Sequence, residues 1–346
     1  MIKVGVIGCG KIAQKRHIPE YLANEDAQVI GYCDINLPRA QALADEFGGT
    51  AYQSYQDLLA NDEIEAVSVC TPNISHAEIT IAAFKAGKHV LCEKPMATTM
   101  ADSEAMVQAA KEAGRFLMIG HNQRLTKTHI KAKELLESGL IGELISFRTT
   151  FGHRGPETWS IDPGNNTWFF DKAQSGIGAM ADLGVHKTDL IHFLTGQVVV
   201  ETTASLNTLD KRYDNGELID VDDHALCIYR LSGGAVGTMV ASWVFNGAED
   251  NSTVLYGTEG VMRIYDDPIF SIKVFRKDGE KIFYDVDAIQ TNTSQTSSGV
   301  IDMFIDSLEQ NVQPPLSGEE ALKAMRAIIA SIESAEMHQT VVVKQY

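Results

Sequence analysis

Two hydrophobic periods divide this chain. Over about the first 120 positions, short β-branched runs alternate with stretches whose apolar residues recur three and four apart. The runs are IKVGVI (2–7), AQVIGYCD (27–34), AVSVC (66–70), KHVLCE (88–93) and FLMIG (116–120). Between them, Ile79, Ala82, Ala83 and Ala86 form one helical stripe, and Met106, Ala109, Ala110 and Ala113 another. Continuously apolar strands separated by helices predict a parallel sheet covered on both faces, the doubly wound α/β arrangement.

From residue 124 the pattern changes. A helix is expected over 128–138, ended by Gly139, then longer alternating strands over 142–153, 198–209, 222–231, 234–245, 251–257 and 261–265. Ser232-Gly233-Gly234 and Gly257-Thr258-Glu259-Gly260 read as hairpin turns. A helix near 182–195 interrupts the strands. Two more follow at 299–311 and 318–337, with a Pro314-Pro315 turn between them, and 340–344 reads as a last strand. The segment 288–299, rich in Thr, Ser, Asn and Gln, reads as a polar loop. Two domains are therefore expected: a doubly wound one over 1–123, and an α+β one with a largely antiparallel open sheet over 124–346. The C-terminal helix is free to pack back on the first domain.

A chain of 346 residues, 44% hydrophobic and 22% charged, can bury a large core without disulfide or metal staples. Its net charge of -17 disfavours nucleic acid and anionic membrane surfaces as partners. A small anionic cofactor stays open, because backbone dipoles act locally. The five cysteines (Cys9, Cys33, Cys70, Cys92 and Cys227) are odd in number and lack a CxxC pair. They point to packing in a reducing compartment, the cytoplasm, with Cys9 in its glycine loop open to a partly reactive role. The N-terminus enters a strand at once, so no secretory signal is expected, and no apolar run is long enough to span a bilayer. No metal site is expected: Asp220, Asp222 and Asp223 lack His or Cys companions and read as a solvated turn.

The first strand runs straight into Gly8-Cys9-Gly10-Lys11-Ile12-Ala13, the GxGxxA form of the dinucleotide fingerprint. Gly8 permits a tight turn, Gly10 lets backbone approach a pyrophosphate, and Ala13 keeps the helix close to the strand. Lys11 and Ile12 open the helix whose free N–H groups face the phosphates. Asp34 ends the second run about 20 residues on, where a carboxylate binds the adenosine ribose and repels a 2′-phosphate. No Arg follows immediately (Ile35-Asn36-Leu37-Pro38-Arg39), so NAD(H) is expected over NADP(H), which stays open as a second coenzyme. By the residues alone Asp34 also fits a helix N-cap. Thr71, Pro72 and Asn73, after the AVSVC run, lie at the carboxyl edge and are expected along the cofactor's path. His76 joins them as a candidate, although a helix cap at Asn73 or Ser75 and a solvated His76 fit as well.

The next run ends in Glu93-Lys94-Pro95. Lysine before proline is pushed out of the α region, and such a turn can aim the ammonium into a cleft. GVIGCGKIA, then Asp34, then TPNISHAE, then EKP, in this order, resemble the glucose–fructose oxidoreductase / inositol dehydrogenase (Gfo/Idh/MocA) family over essentially the whole chain. That resemblance implies a dinucleotide-binding Rossmann domain followed by a domain for substrate binding and oligomerisation. It also implies that Lys94 binds and polarises the reacting hydroxyl, with Glu93 at the coenzyme side. The family's second signature, an Asp-x-x-x-His after a glycine-rich stretch, is matched by Ser175-Gly176-Ile177-Gly178-Ala179-Met180-Ala181-Asp182-Leu183-Gly184-Val185-His186. Four apart on a helix, Asp182 and His186 share a face. The resemblance makes His186 the acid/base and Asp182 its substrate-binding neighbour; the residues alone equally allow an N-cap and a core histidine.

Weaker signals complete the site. Arg124, in Gly120-His121-Asn122-Gln123-Arg124, is a candidate coenzyme contact or a structural salt bridge. Arg154 and Trp159, in the loop from His153, and Trp168 are candidates to bind and stack on a sugar, or to form a domain contact. The expected activity is hydride transfer between NAD(H) and a hydroxyl-bearing carbon of a sugar, polyol or inositol by a homodimer or homotetramer. An NAD-dependent glycosidase acting by transient oxidation and a non-catalytic dinucleotide-sensing regulator are the rival readings.

Overall fold

The computed structural model describes residues 1–288 and 297–345. Most of the polar stretch 288–299 lies outside them. Strands β1 (Ile2–Ile7), β2 (Ala27–Cys33), β3 (Thr50–Tyr52), β4 (Ala66–Val69), β5 (His89–Cys92) and β6 (Leu117–Ile119) form an all-parallel sheet, order β3-β2-β1-β4-β5-β6. Val4, Val6, Val67, Val69, Val90 and Leu91 are fully buried in it, as continuously apolar strands require. The three-residue β3 carries too little apolar pattern to be read from sequence.

Strand order reverses beside β1, which opens a crevice at the carboxyl ends of β1 and β4. Backbone bonds level this rim. Cys70 N–H donates to the Ile7 carbonyl (2.7 Å), Glu93 N–H to Val69 (2.9 Å) and Gly120 N–H to Cys92 (2.9 Å). Gly8, Thr71, Lys94 and His121 therefore leave the sheet side by side.

The second sheet contains β7 (Leu144–Gly152), β8 (Val199–Asn207), β9 (His224–Leu231), β10 (Val236–Ser242), β11 (Thr253–Gly257), β12 (Gly260–Ile264), β13 (Ile272–Arg276), β14 (Lys281–Tyr284) and β15 (Val341–Val342). Its order is β14-β13-β12-β11-β7-β10-β9-β8-β15, antiparallel except for the parallel pair β7/β10. The β13–β14 hairpin extends the sheet beyond the expected strands. Its turn, Asp278-Gly279 with Gly279 at φ +93°, is a hairpin signal that the sequence carries openly. Helices Val185–Thr195 and Gly318–Met337 cover one face. On the other face Leu226, Ile228, Tyr256 and Phe283 stand exposed.

The chain does not divide cleanly at 123/124. Helix Val300–Gln310 packs Val300, Ile301, Phe304 and Ile305 into the first domain's core with Val4, Val6, Tyr21 and Met118. Ile119 N–H then donates to the Leu316 carbonyl (2.9 Å), so residues 300–317 extend the first domain. Helix Gly318–Met337, capped where Ser317 accepts the Glu320 N–H, touches helix Met100–Ala113, β8 and helix Val185–Thr195 and joins the two domains. Among the described residues no helix is long and apolar enough to cross a membrane.

Two histidines link this packing to pH. His192 Nε2 accepts the Val199 N–H (3.0 Å), and burial lowers its pKa to about 4. His129 donates from Nδ1 to the Gln123 carbonyl (2.7 Å), and burial lowers it to about 3. Both folded values lie below the ordinary 6.5, so the unfolded chain takes up protons first as pH falls. Stability is therefore lost on acidification from pH 6.5 toward 4, each histidine contributing up to about 1.4 kcal/mol per pH unit. Thermal melts across this range should show a falling Tm; a flat Tm down to about pH 5 contradicts the neutral buried histidines.

Candidate active site

The glycine turn fits a dinucleotide. Gly8 has φ +92°, and a Cβ there would lie 2.6 Å from the Cys70 backbone, so only glycine closes the turn. A Cβ on Gly10 would meet nothing within 4 Å: this position faces the open space in which a pyrophosphate would sit. Lys11 and Ile12 are partly exposed beside it. The helix begins with a π-turn, Ala13–His17, before the α-helix Ile18–Ala23, a departure from the plain helix expected. Asp34 accepts the Cys9 N–H at Oδ2 (2.9 Å) and the Asn36 N–H at Oδ1 (2.8 Å), which braces the turn and leaves each oxygen a lone pair for a ribose hydroxyl. Burial, with Asp34 adding to it, pushes the Cys9 thiol up to about 12, so it packs and does not react.

No Arg follows Asp34 immediately in sequence, but the fold brings one near it. Arg39 returns to within 3.9 Å of its Oδ2 and is held by Asp162, from a second-domain loop, at 2.9 and 3.1 Å. Thr71 and Pro72 are partly exposed on the rim, while Asn73 donates to the Ser175 carbonyl (3.0 Å) and ties the rim to the second domain. His76 is neither solvated nor turned to the coenzyme. Its ring lies 2.8 Å from both the Thr71 and Pro95 carbonyls and fixes the loops after β4 and β5 to each other.

Lys94 leaves β5 through a cis Lys94–Pro95 peptide. Its ammonium donates to Asp182 Oδ1 (2.8 Å) and to the Asp182 carbonyl (3.0 Å); the third N–H has no acceptor among the described residues. Asp182 belongs to a π-turn, Met180–Gly184, that precedes helix Val185–Thr195, and its Oδ2 accepts from Trp243 Nε1 (3.0 Å). Burial works to raise this carboxyl, but the Lys94 charge beside it holds it below its ordinary value. Asp182 thus anchors Lys94 and, with one bond at each oxygen, keeps a lone pair on each. His186 is buried and its ring lies 5.9 Å from Phe151. Nδ1 is sealed off without a partner, and Nε2 makes no hydrogen bond among the described residues. Burial first, then the nearby Lys94 charge, lowers its pKa well below the usual 6.5, so the ring is neutral.

Glu93 holds protein partners at both oxygens: Oε1 takes His17 Nε2 (2.9 Å) and Oε2 the Lys94 N–H (3.2 Å). Arg124 is a structural ion pair. It grips Asp189 at 2.5 and 2.7 Å in the interior, because a buried guanidinium and carboxylate satisfy each other. Arg154 is exposed, whereas His153 beside it faces inward with Nε2 buried and unpartnered. Trp168 stacks on Phe169 (3.8 Å between ring centres), which meets Trp159 edge-on (5.2 Å) and Trp243 at 6.4 Å, so the aromatics form one wall beside Asp182. Trp243 was not singled out from sequence, and His153 only as the first residue of its loop. Their signals were the same-face pair Phe151 and His153 at the end of β7, and an indole closing β10. Asp222 and Asp223 are not a solvated turn either. Asp223 accepts the N–H groups of Leu209, Asp210 and Lys211, and Asp222 those of Gly178 and Met180 at the entry to the π-turn that carries Asp182. Among the described residues no group of three or more His, Cys, Asp or Glu is arranged to hold a metal ion.

A parallel sheet with a phosphate-ready glycine turn, and a lysine–carboxylate–histidine cluster at the same rim, define an NAD-dependent oxidoreductase. The chain belongs to the Gfo/Idh/MocA family: residues 2–121 match its oxidoreductase family model with the NAD-binding Rossmann fold, and residues 129–263 match a GFO/IDH/MocA C-terminal domain. It is similar to levoglucosan dehydrogenase of Pseudarthrobacter phenanthrenivorans, 32% identical over 66% of this chain and 62% of that protein. It also resembles myo-inositol 2-dehydrogenase of Thermotoga maritima, 27% identical over 98% of both chains. Among solved structures, a levoglucosan dehydrogenase complex with NADH and levoglucosan superposes with TM-score 0.85 at 26% identity over 100% of both chains.

If Asp34 holds the adenosine ribose, Asp34→Ser removes both that ligand and the charge that opposes a 2′-phosphate. The NADP+/NAD+ ratio of kcat/KM should rise at least about tenfold, a shift of ~1.4 kcal/mol. An unchanged ratio in steady-state kinetics would mean that Asp34 does not select the coenzyme.

Proposed function

We propose that this oxidoreductase moves a hydride between NAD(H) and a hydroxyl-bearing carbon of a sugar, polyol or inositol, with Lys94 and His186 handling the hydroxyl. The observation that carries this reading is the meeting of Lys94, Asp182 and His186 at the rim that bears the glycine turn. When bound, NAD+ supplies the acceptor for the hydride. Lys94, anchored by two N–H groups, directs the third at the hydroxyl oxygen and steadies the charge that develops there. His186 Nε2 accepts the hydroxyl proton; a neutral ring beforehand is the state a base needs. In the reducing direction the same nitrogen returns the proton. The aromatic wall of Trp159, Trp168 and Phe169 offers an apolar surface to the C–H face of a ring. Relatives named for levoglucosan and myo-inositol support that substrate class.

NAD(H) is favoured over NADP(H): Asp34 follows the glycine turn where a ribose-binding carboxylate is expected, and Asp162 pairs with the nearby Arg39. Five unpaired, buried cysteines support a reducing compartment, the cytoplasm. The exposed apolar face of the second sheet supports a homodimer or homotetramer joined there.

Lys94→Ala and His186→Ala should each lower kcat by about 10²–10⁴-fold while NADH binding, followed by fluorescence titration, changes little. Near-normal turnover in both variants sinks the assignment. In sedimentation, the wild type should run as a dimer or tetramer and Ile228→Asp as a smaller species; a monomeric wild type removes the sheet-face interface.

A further inference from the structure

Behind the catalytic cluster runs a buried chain of hydrogen bonds that the proposed mechanism does not use. Tyr21 Oη lies 2.8 Å from Ser68 Oγ, Ser68 Oγ 3.0 Å from His17 Nδ1, and His17 Nε2 2.9 Å from Glu93 Oε1. The other Glu93 oxygen accepts the Lys94 N–H at 3.2 Å. Tyr21, Ser68 and His17 are at most 3% exposed. An ionised carboxylate only accepts, so His17 Nε2 donates to Glu93, while Nδ1 meets the Ser68 hydroxyl and, through it, Tyr21. Although burial works to raise the Glu93 carboxyl, the His17 bond and the Lys94 charge hold it at about 2, so it is the ionised end of the chain.

The placement of His17 has a local cause. Residues Ala13–His17 wind as a π-turn, a local departure from the α-helix that recurs at functional sites, and this turn sets His17 inward under the sheet rim. The same helix begins at the glycine turn. Gly120 packs against the Glu93 carboxylate: a Cβ there would lie 3.2–3.4 Å from it. Without His17, the buried Glu93 charge would lack one of its hydrogen-bond partners, and the Lys94 ammonium is a nearby cation toward which it could turn.

We propose that His17 is a positioning residue for the reaction: by holding Glu93 it keeps the Lys94 ammonium on Asp182, and it joins the coenzyme-binding helix to the catalytic lysine. This rests on the reading of Lys94 as the hydroxyl-binding cation. His17 touches neither substrate nor coenzyme and acts through Glu93.

The test pairs two substitutions. His17→Phe keeps ring volume without a donor, and His17→Gln keeps an N–H able to reach Glu93. Misplacement of a reacting group by about 1 Å costs about 10²-fold, so His17→Phe should lose about that much kcat with substrate KM and NADH Kd within about threefold. His17→Gln should recover most of the loss. A folded His17→Phe with wild-type kcat overturns the proposal. So does equal impairment of both variants, or a loss confined to NADH Kd. Should His17→Phe fail to melt cooperatively, Glu93→Gln and Ser68→Ala take its place. Glu93→Gln should lower kcat without a change in NADH Kd, and adding Ser68→Ala to it should cost nothing further; additive losses overturn the proposal. If Lys94→Ala keeps near-normal turnover, the functional reading has failed, whatever the His17 variants do.

Discussion

The structure depends on one ion pair drawn from the two domains. Lys94 comes from the end of a parallel strand and Asp182 from a π-turn in the second domain, and they meet at 2.8 Å with little water around either. A pair of this kind holds its geometry because a buried charge that loses its partner costs about 3–5 kcal/mol. The second anchor, from Lys94 to the Asp182 carbonyl, fixes direction as well as distance. One Lys94 N–H is left without an acceptor among the described residues, and the neutral His186 imidazole lies close enough to feel the Lys94 charge.

The rest of the architecture keeps those two halves in register. Arg124 grips Asp189 on the helix that carries His186, Asn73 reaches the Ser175 carbonyl, and Asp222 pins Gly178 and Met180 ahead of Asp182. A Cβ on Gly178 would come within 1.9 Å of the Asp222 carbonyl, so glycine is needed for that close approach. Helix Gly318–Met337 touches both domains, and residues 300–317 return to the first core. The two sheets are thus fastened at several points around the cleft and enclose it from both sides.

Much of this was legible in the sequence, and the limit is physical. Local periodicity reveals an element and its buried face, so the β-branched runs and the alternating strands stood out, as did the glycine turn with Asp34 and the EKP and Asp-x-x-x-His signatures. The strands β3, β13 and β14 escaped notice, although Asp278-Gly279 marked the last hairpin. The roles of charged residues were least legible. Arg124 and Glu93 looked available to a coenzyme, yet their partners, Asp189 and His17, lie 65 and 76 positions away. His153 and Arg154 are neighbours just past the end of β7, yet packing buries the first and leaves the second exposed.

By itself the sequence determined the class of fold, the dinucleotide turn and the residue types able to move a proton and steady an alkoxide. These follow from short-range constraints: period, steric permission at glycine, and the chemistry of a side chain. Tertiary packing alone decided that Lys94 and Asp182 pair, that Arg39 returns to Asp34, that two π-turns replace plain helix, and that the helix at 300–310 belongs to the first core. Those outcomes depend on burial, which sets what each charge must find as a partner. Burial is a property of the whole chain's packing and is written in no local stretch of it.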